Sequence, residues 1–360
     1  MIKVLVVDDS AFMRKMLSDM LSSHPDITVV DKARNGRDGL EKIEQHKPDV
    51  VTLDVEMPVM TGIEALEEIM KTTRTPAIMV SSVTKEGAET TMRAMELGAF
   101  DFIAKPSGAI SLDIDKVKDD LIEKVLHASK VSRKKLTPAP KRTDEKPKRI
   151  ERIQRPDFSL EPGPSGKREV LGKTIVAIGT STGGPKALQR VLTALPENFP
   201  FPIIIVQHMP KGFTRSLSER LNSLSAISVK EAEEGDILKK GVAYIAPGGY
   251  HLKVRRAGTS VGIHLDQSPL VNGHRPSVDA MFFSLADLHP ERVIAVVMTG
   301  MGSDGKQGLI RLKQLSKTKA IAESERTSVV FGMPKAAIDT HFVDSVKDLE
   351  DISSEILRYC

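Results

Sequence analysis

Tryptophan is absent from the 360 residues, tyrosine occurs only three times, and the single cysteine, Cys360, is the last residue. One thiol at a chain end excludes an internal disulfide and any structural zinc site built on several thiolates. No uninterrupted apolar run approaches the roughly 18 to 20 residues that a bilayer-spanning helix needs. The opening Met-Ile-Lys-Val-Leu leads straight into a strand pattern rather than a signal-peptide layout. These absences predict a cytoplasmic protein without membrane insertion, and they remove redox and zinc-finger chemistry from consideration. What remains, 40% apolar and 28% charged residues, is ordinary globular composition in a chain long enough for two domains.

The formal charge of +4 is unevenly distributed. Residues 129–168 hold 13 Lys and Arg against 5 Asp and Glu, a surplus of eight, so the other 320 residues carry about −4. The same stretch has six prolines and few large apolar side chains, a composition that cannot bury enough surface to offset chain entropy. It reads as a basic, semi-extended linker between a domain at 1–128 and another at 169–360. Nothing resembling a recognition helix or an aromatic-rich nucleic-acid surface accompanies the charge. No nucleic-acid partner is expected.

Before the linker, short β-branched runs at 4–7, 27–30, 50–53, 77–81 and 102–104 alternate with stretches of helical periodicity. Five such repeats predict a doubly wound parallel sheet covered on both faces, with function at the C-terminal strand ends. Those ends read Asp8-Asp9-Ser10, Asp54, Ser81-Ser82 and Lys105-Pro106. Three carboxylates gathered there repel one another and have raised pKa values unless a cation compensates. Oxygen-only ligands favour Mg²⁺. Together these groups suit phosphoryl transfer to a carboxylate, one Asp attacking while metal and lysine neutralise the phosphoryl oxygens.

The sequence Val-Val-Asp8-Asp9-Ser10, Leu-Asp54-Val-Glu56-Met-Pro58 with Gly62, Val80-Ser81-Ser82 and Ala-Lys105-Pro106 resembles the receiver domain of bacterial two-component response regulators. The resemblance implies that Asp54 is the phospho-acceptor. It also implies that Asp8, Asp9, Asp54 and the backbone carbonyl of Glu56 hold Mg²⁺, that Ser81 and Lys105 contact the phosphoryl group, and that Phe102 occupies the aromatic switch position.

After the linker, a strand at 174–178 runs into Gly179-Thr-Ser181-Thr-Gly183-Gly184-Pro185 and then a helical stretch from Lys186. As a phosphate loop the match fails: Pro185 intervenes and Ala187 stands where a hydroxyl is needed. As a nucleophile elbow, Gly179-x-Ser181-x-Gly183 fits, lifting Ser181 to the sheet edge. A serine there needs a base, and His208, directly after the strand at 203–206, is better placed than His251, His264, His274, His289 or His341. The turn after the strand at 293–298 offers Asp304 as the orienting carboxylate, a residue that could also cap the following helix. The order Ser, His, Asp differs from the Ser, Asp, His of α/β-hydrolases.

Around these residues, Gln207-His208-Met209-Pro210, Ala246-Pro247-Gly248-Gly249-Tyr250-His251, Pro276-Ser277-Val278-Asp279, Thr-Gly-Met301-Gly-Ser-Asp304-Gly and Phe331-Gly332-Met333-Pro334 resemble the catalytic domain of the chemotaxis protein-glutamate methylesterase family. The resemblance implies an α/β parallel-sheet esterase with Ser181 as nucleophile, His208 as base and Asp304 as orienting acid. It suggests the Met301 N–H as an oxyanion donor, with His251 and Asp279 as pocket residues outside the catalytic set. Its implied substrates are glutamate γ-methyl esters, and certain glutamines, on methylated transmembrane chemoreceptors. A chemotaxis histidine kinase is the implied phosphodonor, with recruitment to membrane receptor clusters and no cofactor for ester hydrolysis. Two rivals are weaker: a DNA-binding output lacks a helix-turn-helix pattern, and a nucleotide-binding output lacks the Lys-Ser/Thr of a phosphate loop.

Overall fold

Runs of β-branched residues between polar turns become strands in both halves of the chain, because only extended backbone lets them bury on both faces of a sheet. The computed structural model describes residues 1–105, 114–131 and 174–359. The expected linker at 129–168 lies outside these residues apart from its first three, which close a helix through bonds such as Ser129 N–H to the Val125 carbonyl.

The first domain runs β1 (Ile2–Val7), α1 (Ala11–Ser22), β2 (Ile27–Ala33), α2 (Gly36–His46), β3 (Val50–Asp54), α3 (Gly62–Lys71), β4 (Ala77–Ser81), α4 (Lys85–Leu97), β5 (Asp101–Ala104) and α5 (Ile114–Ala128). Its five strands pair in parallel in the order β2-β1-β3-β4-β5. β1 and β3 are therefore neighbours, which sets Asp8 and Asp54 side by side at one edge. Helix starts are fixed locally: the Ser10 hydroxyl accepts from the Met13 N–H, and Thr61 and Glu64 form a reciprocal capping box at α3.

The second domain runs β6 (Thr174–Thr180), α6 (Gly184–Thr193), β7 (Ile203–Gln207), α7 (Phe213–Leu224), β8 (Ser228–Glu231), β9 (Val242–Ile245), β10 (His251–Ala257), β11 (Ser260–Asp266), α8 (Val278–Leu288), β12 (Arg292–Val297), α9 (Lys306–Leu315), β13 (Thr318–Glu323), α10 (Met333–Ile338), β14 (Ser345–Lys347) and α11 (Leu349–Arg358). Seven strands form a parallel sheet in the order β14-β13-β12-β6-β7-β9-β8. The chain reverses direction of growth across β6, whose neighbours are β7 and β12, and that is where a crevice opens in sheets of this kind. β10 and β11 make a separate antiparallel hairpin, which is not among the strands expected from the sequence. Among the described residues no helix is long and apolar enough to cross a membrane.

The two domains touch. α4 packs against α6 and α7, and the rings of Phe102 on β5 and Phe213 on α7 lie 4.6 Å apart, both buried. Arg220 on α7 grips Glu96 on α4 with two bonds, 2.6 and 2.9 Å. The pair is partly exposed, so its net contribution is about 0.5 to 1 kcal/mol. Deeper in, the Thr182 hydroxyl donates to the buried carboxylate of Asp101, whose other neighbour is Lys124 at 3.7 Å.

One glycine is dictated by close approach. A Cβ at Gly62 would lie 1.9 Å from the backbone carbonyl oxygen of Asp54, and neither group is a flexible chain end. Gly62→Ala is expected to destabilise the first domain by about 3 kcal/mol, measured as a lower denaturant midpoint for that domain's transition.

Candidate active site and acidic cluster

At the C-terminal edge of the first sheet, ligand-capable oxygens of Asp8, Asp9 and Asp54 all lie within 4.8 Å of one another. Lys105, at the end of β5, reaches Asp54 Oδ1 at 2.7 Å and Asp8 Oδ2 at 3.7 Å. Burial raises the Asp54 pKa to about 6, with Lys105 opposing the rise and Asp8 adding to it. Burial likewise raises Asp8, offset by the Ser10 N–H and Lys105. Two buried oxygens, Asp8 Oδ2 and Asp54 Oδ2, have no hydrogen-bond partner. An all-oxygen set with orphaned buried acceptors and one compensating lysine fits a hard divalent cation.

The remaining predicted residues of this domain fall into different places. Glu56 is exposed, and its N–H donates to Asp54 Oδ1 at 3.4 Å. Ser81 is buried, but its hydroxyl donates to the carbonyls of Gly87 and Ser82, at 3.1 and 3.3 Å. Phe102 is held against the second domain through Phe213.

In the second domain Ser181, His208 and Asp304 come from the ends of three adjacent strands, β6, β7 and β12. Thr180 pairs in register with Gln207, and the His208 N–H bonds the Thr180 carbonyl at 3.1 Å, so Ser181 and His208 are the next residues on neighbouring strands. The Ser181 N–H and the Thr180 hydroxyl both donate to the Thr299 carbonyl, at 2.9 Å each, tying the elbow to the turn after β12. That turn approaches so closely that a Cβ on Gly300 would lie 2.8 Å from the Ser181 Cβ. Among the described residues, the N–H groups of Thr182 and Met301 donate to no acceptor.

His208 Nε2 lies 2.8 Å from Asp304 Oδ2, while His208 Nδ1 is buried without a partner. Asp304 does not cap its own helix, since the cap of α9 is Gly305. Instead it sits over the N-terminus of α8, accepting from the N–H groups of Val278 and Asp279 at 2.7 and 3.0 Å and from the Ser277 hydroxyl at 2.9 Å. Asn272 Nδ2 donates to it at 2.8 Å and to Asp279 at 2.7 Å. Burial alone would raise the Asp304 pKa, but His208, Asn272 and the backbone donors outweigh it and hold the carboxyl well below the usual range.

Of two further neighbours, His274 was weighed only as a less well placed base, and Asn272 escaped the sequence reading. The His274 ring stacks on His208 with centroids 3.8 Å apart; burial, with His208 beside it, pushes its pKa down to about 4. It is uncharged near neutrality and adds no positive charge against His208. Asn272, at φ 52°, bridges the two carboxylates. Both precede Pro276-Ser277-Val278-Asp279 in an irregular loop, and only proximity to that motif could have marked them. Of the pocket candidates, Asp279 is buried and bonded to the Gly308 N–H. His251 is buried on β10 with Nε2 3.0 Å from the Pro269 carbonyl oxygen.

Comparison with known proteins agrees with this geometry. Residues 4–114 match the family described as response regulator receiver domain, and residues 176–356 match CheB methylesterase. The protein-glutamate methylesterase/protein-glutamine glutaminase of Geobacillus kaustophilus (strain HTA426) is 56% identical over 357 residues, covering 99% of this chain and 98% of that one. The protein of the same name from Bacillus subtilis (strain 168) is 48% identical over 356 residues, with the same coverage. The crystal structure of the Thermotoga maritima CheB methylesterase catalytic domain matches with 44% identity and a TM-score of 0.50, covering 52% of this chain and 98% of that one. With its receiver in front and its esterase domain behind, matched nearly end to end, the chain belongs to the protein-glutamate methylesterase/protein-glutamine glutaminase family of chemotaxis.

Proposed function

We propose that the second domain hydrolyses glutamate γ-methyl esters on methylated transmembrane chemoreceptors through Ser181, His208 and Asp304, and that the first domain controls access to them. The observation that carries the reading is the 2.8 Å contact of His208 with a carboxylate saturated by fixed donors, one strand away from the serine. With Nε2 committed to Asp304, Nδ1 is the atom that accepts the Ser181 proton. Ser181 Oγ then bonds the ester carbon, and methoxide departs with the proton from His208 as methanol. Water, activated by the same nitrogen, releases the glutamate carboxylate. The Thr182 and Met301 N–H groups are the donors for the oxyanion. Glutamine deamidation follows the same steps with ammonia leaving.

Asp54 is the proposed phospho-acceptor, with a chemotaxis histidine kinase as donor, and Asp8, Asp9 and Glu56 complete the site for Mg²⁺. The ion supplies charge neutralisation for the incoming phosphoryl group. Lys105 holds the acceptor oxygen, and Ser81, now turned toward Gly87, is the hydroxyl available to rotate inward. Lys105 follows β5, the strand that carries Asp101 and Phe102. Those two side chains touch Thr182 and Phe213, so the unphosphorylated receiver covers the elbow, and a shift at Lys105 is transmitted along one short strand. The basic linker tethers the two domains, and recruitment to receptor clusters follows from the substrate.

Four outcomes are expected. Ser181→Ala folds but releases no methanol from methylated receptor membranes, and Asp304→Asn lowers kcat by about 10³- to 10⁴-fold; full turnover in the serine variant would remove the proposed nucleophile. Deleting residues 1 to about 165 raises basal methanol release, and an unchanged or lower rate argues against occlusion. Chelating divalent ions abolishes stimulation by a phosphodonor while leaving basal hydrolysis intact, read in the same assay with and without EDTA.

A further inference from the structure

α4 and β5 are already occupied by the esterase domain, through Glu96, Asp101 and Phe102. A donor that phosphorylates Asp54 while the domains are packed must approach from the other side. There Arg14 donates from Nη1 to the carbonyls of Asp8 and Asp9, at 2.8 and 2.9 Å, and so is anchored to the acidic loop. Its side chain lines a cavity of about 630 Å³ together with Lys32, Arg34, Arg37 and Val59.

This surface is net cationic, five Lys and Arg against Asp38 and Glu41 on the same wall. Lys42, also on the cavity wall, is neutralised by Asp31 and Asp38 at 3.3 and 3.5 Å. Lys32, Arg34 and Arg37 are exposed and make no ion pair among the described residues. The turn that carries Arg34 and Arg37 is held to the loop after Asp54 by the Gly36 N–H bonding the Met60 carbonyl at 3.1 Å. One large apolar side chain stands out on the cavity wall: Val59, 79% exposed five residues past Asp54. Arginine is enriched where proteins meet, and three cations without ion pairs around one crevice beside the acidic loop present a localised positive field to an approaching partner.

We propose that this rim of Arg34, Arg37 and Lys32 with Val59 docks an acidic face of the histidine-phosphorylated protein that serves Asp54, admitting the donor without separation of the two domains. The inference rests on the reading of Asp54 as acceptor. In the docked complex the P–N bond to the donor imidazole breaks as a P–O bond to the Asp54 carboxylate forms, and the imidazole leaves with the bonding pair. Charge complementarity of this kind acts mainly on encounter, so it is salt-sensitive and specific to a charged macromolecular donor.

The test is Arg34→Glu/Arg37→Glu in the full chain. Both side chains are exposed, and Glu at 37 falls in the first turn of α2, where negative charge is favoured, so the fold is preserved. Phosphorylation of Asp54 is followed with the phosphorylated donor domain of the kinase and, separately, with acetyl phosphate. Expected is a loss of about tenfold or more with the protein donor at low salt, a flattened dependence on added salt, and a change under about twofold with acetyl phosphate. An unchanged rate with the protein donor, or equal slowing with both donors, overturns the docking surface. Failure of acetyl phosphate to modify Asp54 in the unaltered chain overturns the acceptor reading instead.

Discussion

Burying the Asp304 carboxylate is the constraint around which the second domain is arranged. A charged group removed from water must be repaid by donors in fixed positions, and here they come from the first turn of α8, from Ser277, from Asn272 and from His208. Those donors fix α8 against the turn after β12, and that turn in turn accepts the backbone of the elbow at Thr299. The charge therefore does more than orient an imidazole. It ties helix, turn and nucleophile-bearing strand end into one rigid corner.

The first domain solves a related problem in the opposite way. Its acidic cluster is undersupplied with donors, so burial keeps Asp54 and Asp8 above the ordinary carboxylate range and leaves buried oxygens without partners. One corner is saturated and stiff; the other is unsatisfied and ready to take cation and phosphoryl group. A catalytic apparatus gains from the first condition and a switch from the second.

Much of this was legible in the chain. The parallel sheets follow from β-branched runs of strand length, and the residues proposed to react stand at the ends of those runs or in the turns that follow. The β10–β11 hairpin was legible too, although no strand was expected there: Leu252 and Val254, then Val261, Ile263 and Leu265, alternate with polar or small residues on either side of Gly258. Asn272 and His274 belong to a loop whose path depends on tertiary contacts, so no periodicity marks them. Phe102 was legible as buried, but burial in a core and burial against another domain leave the same trace in sequence; only Phe213, more than a hundred positions away, distinguishes them.

The contact between Thr182 and Asp101 has an implication for how such proteins are assembled from parts. The residue next to Ser181 is held by a strand of only four residues, about 10 Å from end to end, whose far end carries Lys105. A foreign receiver grafted onto this esterase would have to present a carboxylate and an aromatic ring at matching heights on that strand. On the occlusion proposed here, restraint of the enzyme is a property of the matched pair, and a receiver whose two side chains fail to correspond would leave hydrolysis unrestrained.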